Sequence, residues 1–128
     1  MIGRHEKSLC DAIVEHLNYQ GCHVWRTNSG AIPQEYTSKR TGKTSRRMIY
    51  MARKGTSDII GLRPDGRFVA IEVKVPGREK DLTENQIHFL FDILQHHGVA
   101  GMATDENMAL QIVEGKLSIL DQVGDRYD

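Results

Sequence analysis

Two apolar segments flank a short turn in the middle of the chain, and together they predict an antiparallel β-hairpin. The segments cover residues 57–62 and 68–75, and the turn between them reads Arg63-Pro-Asp-Gly-Arg67. Proline at the second turn position and glycine at the fourth favour a type I turn followed by a left-handed glycine, the common three-residue hairpin loop. That loop pairs Leu62 with Phe68 and thereby fixes which residues face each other along both strands.

The register of this hairpin brings two carboxylates together. Asp58 falls opposite Glu72, and Lys74 lies on the same face as Glu72. Facing Cβ atoms are about 4.5–5.5 Å apart, and like charges at that distance repel each other. Carboxylate oxygens suit Mg²⁺ or Mn²⁺, so the pair predicts a divalent-metal site. A two-residue turn at Asp65-Gly66 would instead place Asp58 opposite Val73 and remove this geometry.

Lys74 has two interpretations beside these acids. Its ammonium group could orient an attacking water or offset the charge that develops on a phosphate. It could also form a salt bridge with Glu72 or Asp58 on a solvated sheet face. The neighbours on that face, Ile60 and Phe68 among them, are mostly apolar. Carboxylates on a covered face are rare without a partner, which favours the functional interpretation.

The periodicity of apolar residues predicts helices on both sides of a mixed central sheet, an α/β (α+β) architecture in the order α-β-β-β-α-β-α. We expect residues 1–128 to form a single domain. The predicted elements are a helix from His5 to Gln20, a strand over 22–27, a long polar loop over 28–45, a short strand over 47–51, the hairpin, a helix over 83–97, a strand over 99–104, a short helix from Asp105 to Glu114 and an edge strand over 116–120.

Three further side chains attract separate expectations. Glu6 extends the apolar stripe of the first helix, so it should point inward towards the site, although an acid in the first turn also stabilises the helix dipole. Gln86 completes a capping box with Thr83, and spacing alone favours that cap over a site role. Trp25, the only tryptophan, is expected in the core.

Residues 39–54 concentrate positive charge although the whole chain is neutral. A basic segment near a carboxylate cluster is typical of a protein that holds phosphates beside a metal. A solvated surface loop is the alternative. No long apolar run or signal sequence is visible, so we expect no membrane association and a cytoplasmic location. The expected DNA-binding residues are Lys39, Arg40, Lys43, Arg46, Arg47, Arg53 and Lys54.

The order of these residues resembles the virus-type replication-repair nuclease (VRR-NUC) domain of the PD-(D/E)xK nuclease superfamily, particularly its stand-alone phage members. The resemblance spans residues 5–104, and Ser57 stands where family members commonly have proline. Its motifs are Arg26-Thr-Asn-Ser-Gly30, Lys54-Gly-Thr-Ser-Asp-Ile-Ile-Gly61, Ile71-Glu-Val-Lys74 and Thr83-Glu-Asn-Gln86. We expect Asn28 and Ser29, within the first motif, to contact DNA as well.

The resemblance implies a restriction-endonuclease-like core and a role for each site residue. The metal, Mg²⁺ or Mn²⁺, would be held by Asp58, Glu72 and the Val73 carbonyl, with Lys74 as catalytic lysine, Glu6 holding metal or water and Gln86 contacting the site. Stand-alone members are similar to small homodimeric enzymes that act on branched DNA such as four-way (Holliday) junctions, which implies a bacterial or phage-infected host cell. The alternatives are a non-catalytic nucleic-acid-binding module of the same fold, a restriction-type duplex endonuclease, or a nuclease acting on RNA.

Overall fold

The computed structural model describes residues 5–27, 31–50 and 53–124. Within those ranges, five strands follow the first helix, and one further strand separates the second helix from the last two. No helix in the described ranges is long and apolar enough to cross a membrane. The elements are α1 (Glu6–Tyr19), β1 (His23–Arg26), β2 (Ala31–Thr37), β3 (Thr44–Tyr50), β4 (Ile59–Leu62), β5 (Phe68–Val73), a 3-10 turn (Glu79–Asp81), α2 (Glu84–Gln95), β6 (Val99–Ala103), α3 (Glu106–Val113) and α4 (Ile119–Val123).

A mixed four-stranded sheet in the order β1-β4-β5-β6 forms the centre of the fold. The first three of these strands are antiparallel, and β6 runs parallel to β5. Alternate residues of β5 serve two cores: Val69 and Ile71 pack with α1 and α3, whereas Ala70 packs with α2 and α4. The fold is therefore the predicted α+β architecture, with a mixed sheet between helices, and it is consistent with a restriction-endonuclease-like fold.

The central hairpin has the register that its turn residues predict. Leu62 faces Phe68, and the pairing runs to Ile59 opposite Ile71. Gly66 has φ +88° and donates its backbone N–H to the Arg63 carbonyl at 2.9 Å, as expected for a type I turn closed by a left-handed glycine. Ile59 is the first paired residue of β4. Asp58 directly precedes it and therefore lies at the start of β4 rather than within the strand.

Residues 31–50 form a two-stranded antiparallel ribbon of β2 and β3, so the prediction of a long irregular loop over 28–45 was wrong. The strand predicted over 47–51 is the end of β3, and Met51 lies outside the described residues. Thr37 and Thr44 face each other across the ribbon, with hydroxyl oxygens 3.0 Å apart, and Glu35 faces Arg46. Such cross-strand pairs stabilise a ribbon whose strand side chains, where the structure describes them, are exposed, which is why apolar periodicity did not reveal it.

Two other expectations were wrong. The edge strand predicted over 116–120 is instead a turn followed by α4, because Ser118 and Asp121 form a capping box that begins a helix. Trp25 is 47% exposed and makes an edge contact with the His23 ring, at a centroid distance of 5.6 Å. It lies on the edge strand β1, where alternation in the strand cannot tell whether a helix covers its face.

Both edges of the sheet are closed by side-chain amides. On β1, Val24 accepts a hydrogen bond from Asn18 Nδ2 at 3.0 Å and donates one to Asn18 Oδ1 at 2.8 Å. On β6, Met102 is bound in the same way by Gln122, with distances of 2.6 and 2.8 Å. These amides occupy outward-pointing backbone groups that would otherwise pair with another strand.

Candidate metal centre

Three carboxylates converge where β4 begins and β5 ends. Glu6, Asp58 and Glu72 each offer one oxygen, and these oxygens all lie within 4.8 Å of one another. Glu6 comes from the first turn of α1, Asp58 from the residue before β4, and Glu72 from β5. Oxygen ligands at this spacing are the donor set that Mg²⁺ and Mn²⁺ prefer.

Asp58 is held by backbone contacts to the two neighbouring strands. Its Oδ2 accepts a hydrogen bond from the Val73 N–H at 2.9 Å, so the side chain continues the ladder beyond the last backbone pair. Its carbonyl accepts from the Thr27 N–H at 2.8 Å. The preceding Ser57 is fully buried and donates its hydroxyl to the Ile59 carbonyl at 2.9 Å. Serine in the place of proline therefore supports the entrance of β4 through a hydrogen bond.

Glu72 is a buried carboxylate with an incomplete set of partners. It is 2% exposed, and its Oε1 accepts a hydrogen bond from Gln86 Nε2 at 3.0 Å. Its Oε2 is buried and accepts none from the described residues. Burial raises the pKa of Glu72 to about 9. The charge of Asp58, and a hydrogen bond that only the protonated Glu72 can donate to it, add to the rise, whereas the charge of Lys74 opposes it. A buried acid of this kind fits a site that receives a cation.

The Gln86 side chain takes part both in the capping box of α2 and in a hydrogen bond to Glu72. Its Oε1 accepts from the Thr83 N–H at 2.9 Å and the Thr83 hydroxyl accepts from the Gln86 N–H, which completes the capping box at the start of α2. Its Nε2 still reaches Glu72. The two interpretations of Gln86 are therefore compatible, because one end of the amide serves the helix and the other end serves the carboxylate.

The Val73 carbonyl points towards the carboxylates. The next residue, Lys74, donates its N–H to the Ala103 carbonyl on the β6 side at 3.1 Å. In a trans peptide the C=O points opposite to the following N–H, so the Val73 oxygen faces away from β6 and towards Asp58. The Val73 N–H, which binds Asp58, faces the same side.

Glu6 lies at the mouth of the cluster, where two clefts meet. The residue is exposed overall, yet its carboxylate reaches the oxygens of Asp58 and Glu72, so Glu6 faces the site without being buried in the core. One cleft, of about 420 Å³, lies between Glu6, Lys74 and Arg78. The other, of about 230 Å³, lies between Glu6, Arg26 and Asp58. Both approaches to the acids thus carry basic side chains.

Lys74 is half-buried beside the acids without a close ion pair. Within the described part of the chain, no carboxylate oxygen lies within 4.0 Å of its ammonium nitrogen. The salt-bridge interpretation therefore has no direct contact to support it. Arg26 and Arg78 are cleft residues that the sequence reasoning did not assign. Arg26 opens one of the motifs that carry the family resemblance, and this was the available signal for it.

The predicted DNA-binding residues occupy two parts of the chain. Lys39, Arg40 and Lys43 lie at the turn of the ribbon, and Arg46 and Arg47 lie on β3. Arg53 and Lys54 belong to the segment that leads to Asp58. All seven are exposed. On the ribbon, Arg47 donates to Gln34 at 3.2 Å and its guanidinium lies 6.0 Å from the Tyr36 ring centre. Asn28 and Ser29 lie outside the described residues.

A mixed sheet with clustered acids, a lysine and a glutamine at the end of its central hairpin is typical of nucleases with a restriction-endonuclease-like core. The family model described as the VRR-NUC domain matches residues 4–104, most of the chain. The chain therefore belongs to the VRR-NUC family of nuclease domains, which usually use divalent metals and act on DNA. No curated protein sequence is significantly similar to it.

Proposed function

We propose that the protein is a divalent-metal-dependent endonuclease that hydrolyses phosphodiester bonds in DNA. The observation that carries this proposal is the buried Glu72 Oε2, which accepts no hydrogen bond from the described residues and lies in a cluster with two other carboxylates. An orphaned buried carboxylate oxygen is costly unless a cation completes its coordination. The donor set fits Mg²⁺ or Mn²⁺.

In this proposal Asp58, Glu72 and the Val73 carbonyl hold the metal, and Glu6 holds metal or water from the exposed side. The cation would supply charge that polarises the scissile phosphate and activates the attacking water. Gln86 acts as a positioning residue, because its amide fixes the Glu72 carboxylate while its other end is anchored in the α2 cap. Such second contacts orient ligands and tune their affinity for the metal.

Lys74 is the proposed catalytic lysine. Its side chain lines the cleft beside Glu6. Because no described carboxylate neutralises it at close range, its ammonium group can donate to a phosphate oxygen or to the attacking water. Positive charge at that point stabilises a transition state in which negative charge builds up on phosphorus-bound oxygens.

We propose a branched DNA substrate, such as a four-way junction, held by the exposed basic residues of the ribbon and by Asn28 and Ser29. The ribbon supports phosphate binding because Lys39, Arg40 and Lys43 are exposed at its turn. Charges presented in this way bind the phosphate backbone without reading the sequence. We propose, in line with the resemblance to phage members, that the enzyme acts in the cytoplasm of a bacterial or phage-infected cell.

We also propose that the enzyme is a homodimer. Trp25, Leu62 and Phe68 lie on one face of the sheet and are 47%, 41% and 36% exposed. The side-chain amides on both sheet edges favour association through this face rather than by strand pairing. Sedimentation velocity should show a dimer that Leu62→Arg converts to monomer, whereas Tyr19→Arg, at a more exposed site on α1, should leave it intact. A monomeric parent would contradict the dimer.

The nuclease is tested with purified protein and a panel of linear duplex, flap, four-way junction and single-stranded substrates. We expect cleavage in Mg²⁺ or Mn²⁺, none with a chelator, and a loss of at least 100-fold in Asp58→Asn and Lys74→Ala. Asp105→Asn is the matched control, because asparagine can still accept the hydrogen bond that Asp105 takes from the Met108 N–H. Cleavage at the parental rate by Asp58→Asn would refute the assigned site. Metal-independent binding without any cleavage would favour a non-catalytic binding module.

A further inference from the structure

A cleft separate from the metal cluster lies between the outer face of α2 and the segment that precedes Asp58. Its volume is about 410 Å³, which is within the range of ligand sites. Arg53 and Lys54 form one side, and Asn85, Phe89 and Asp92 of α2 form the other. Two cations therefore face a half-buried aromatic ring across an open groove.

The basic side of this cleft is held in place by its backbone. Gly55 has φ +86°, and a Cβ added to it would lie 2.4 Å from the Asn85 carbonyl oxygen, so this segment packs directly against the backbone of α2. The N–H and hydroxyl of Thr56 both donate to the Arg53 carbonyl, at 3.0 and 2.6 Å. Arg53 and Lys54 thus extend from a turn that is fastened to the helix.

The cleft is close to the proposed metal centre along two routes. Asn85 directly precedes Gln86, whose amide binds Glu72. Lys54 lies four residues before Asp58, so their Cα atoms are at most about 14 Å apart. A DNA strand offers one phosphate about every 3.4 Å along the helix axis. Consider a strand whose scissile phosphate lies at the carboxylates and which runs on towards the cleft. The phosphate that it places at Lys54 would be within about four nucleotides of the scissile one.

We propose that this cleft is a subsite for one nucleotide of the cleaved DNA strand, beyond the bond that is hydrolysed. The inference rests on the proposed function. Arg53 and Lys54 bind the phosphate, and Phe89 supplies an apolar wall for the sugar or base. Asp92 lies 4.0 Å from Arg53, as an exposed ion pair. Its negative charge repels a phosphate bound by Arg53, so it limits affinity.

The test measures binding of a fluorescent four-way junction by anisotropy without metal, so that no cleavage occurs. Between 50 and 200 mM salt, each phosphate contact contributes about 3-fold to the loss of affinity. We expect Lys54→Gln and Arg53→Gln to weaken binding and to lower the salt dependence by about one contact each. Asp92→Asn should tighten binding about 3-fold, and Lys116→Gln, which removes an exposed lysine paired with Glu114, should change nothing.

The opposite signs expected for Arg53 and Asp92 separate a phosphate site from a structural ion pair. If both variants weaken binding, or if Lys54→Gln keeps the parental salt dependence, the subsite is refuted. If the variants change binding as expected but the parent protein cleaves no substrate, the nuclease activity is refuted and the nucleotide subsite is still supported. A second experiment locates the subsite on the DNA with single uncharged methylphosphonate linkages placed within about four nucleotides of the cut. At one or two positions the linkage should slow cleavage by the parent protein. At those positions it should not slow cleavage by Lys54→Gln any further.

Discussion

Replacing Glu72 by glutamine should stabilise the metal-free protein at alkaline pH while abolishing its metal-dependent activity. Glutamine has the same shape as glutamate and carries no charge. Its side-chain oxygen can accept from Gln86, and its NH₂ can donate to Asp58. The substitution therefore removes the ionisable group without opening a cavity, and its effect reports the cost of keeping that buried group protonated.

The magnitude follows from the raised pKa of Glu72. The group titrates near 4.5 in the unfolded chain and at about 9 in the folded one, so between these values the folded state keeps a proton that the unfolded state releases. The free energy of unfolding then falls as pH rises, by up to about 1.4 kcal/mol per pH unit. By pH 8 the accumulated loss is about 3–5 kcal/mol. Glu72→Gln lacks this loss, and the two proteins should converge in stability near pH 4.5.

The assay is urea denaturation in the presence of a chelator at pH 5, 6, 7 and 8. We expect the difference in unfolding free energy between Glu72→Gln and the parent to grow with pH. Glu15→Gln, an exposed residue of α1, is the control and should show no such trend. Saturating Mn²⁺ should then stabilise the parent, by about 2.7 kcal/mol at 100 times the Kd, and should leave Glu72→Gln unchanged. A constant difference from pH 5 to pH 8, or a variant less stable than the parent at pH 8, would refute the reasoning.

Two other predictions concern side-chain amides, one at the cap of α2 and one at the edge of the sheet. Thr83→Ala and Gln86→Ala should each cost about 1 kcal/mol through the α2 cap, but only Gln86→Ala should also lower metal affinity, by about 10–100-fold in a calorimetric titration; equal affinities would mean that Gln86 serves the cap alone. Gln122→Ala should cost about 2–3 kcal/mol in urea denaturation, because it strands the N–H and C=O of Met102, whereas Gln95→Ala on exposed α2 surface should cost little; equal costs would show that Gln122 contributes nothing at the edge.

Sequence gave the most reliable predictions where local chemistry decides the structure. Pro64 and Gly66 define their own turn, so the register from Leu62 to Phe68 could be read directly. The capping box of Ser118 and Asp121 was equally local, but the alternation of apolar residues before Leu120 favoured a strand and concealed it. In both cases a few neighbouring residues determine the local structure. The error at 116–120 arose because the apolar alternation was given more weight than the capping box.

The remaining errors depend on how elements are placed in space. The described side chains of the two ribbon strands, at 34–37 and 44–47, are exposed, so no burial pattern could reveal these strands. Whether a helix covers Trp25 depends on where α2 crosses the sheet. The exposure of Glu6 at the mouth of the cluster depends on the docking of α1. These are properties of packing between distant segments, which residue spacing within one segment does not contain.

Glu72 shows why such a site is selected for function rather than for stability. Its neighbours on β5, Val69 to Ile71 and Val73, are apolar and fully buried, and a residue of their kind at position 72 would bury surface at no electrostatic cost. The chain instead keeps a buried acid beside a second carboxylate, with one oxygen unpaired among the described residues. A local conflict of this sort persists where a ligand resolves it. Asp58 and Gln86 each accept a backbone hydrogen bond, and they keep the Glu72 carboxylate in a fixed position beside the second acid.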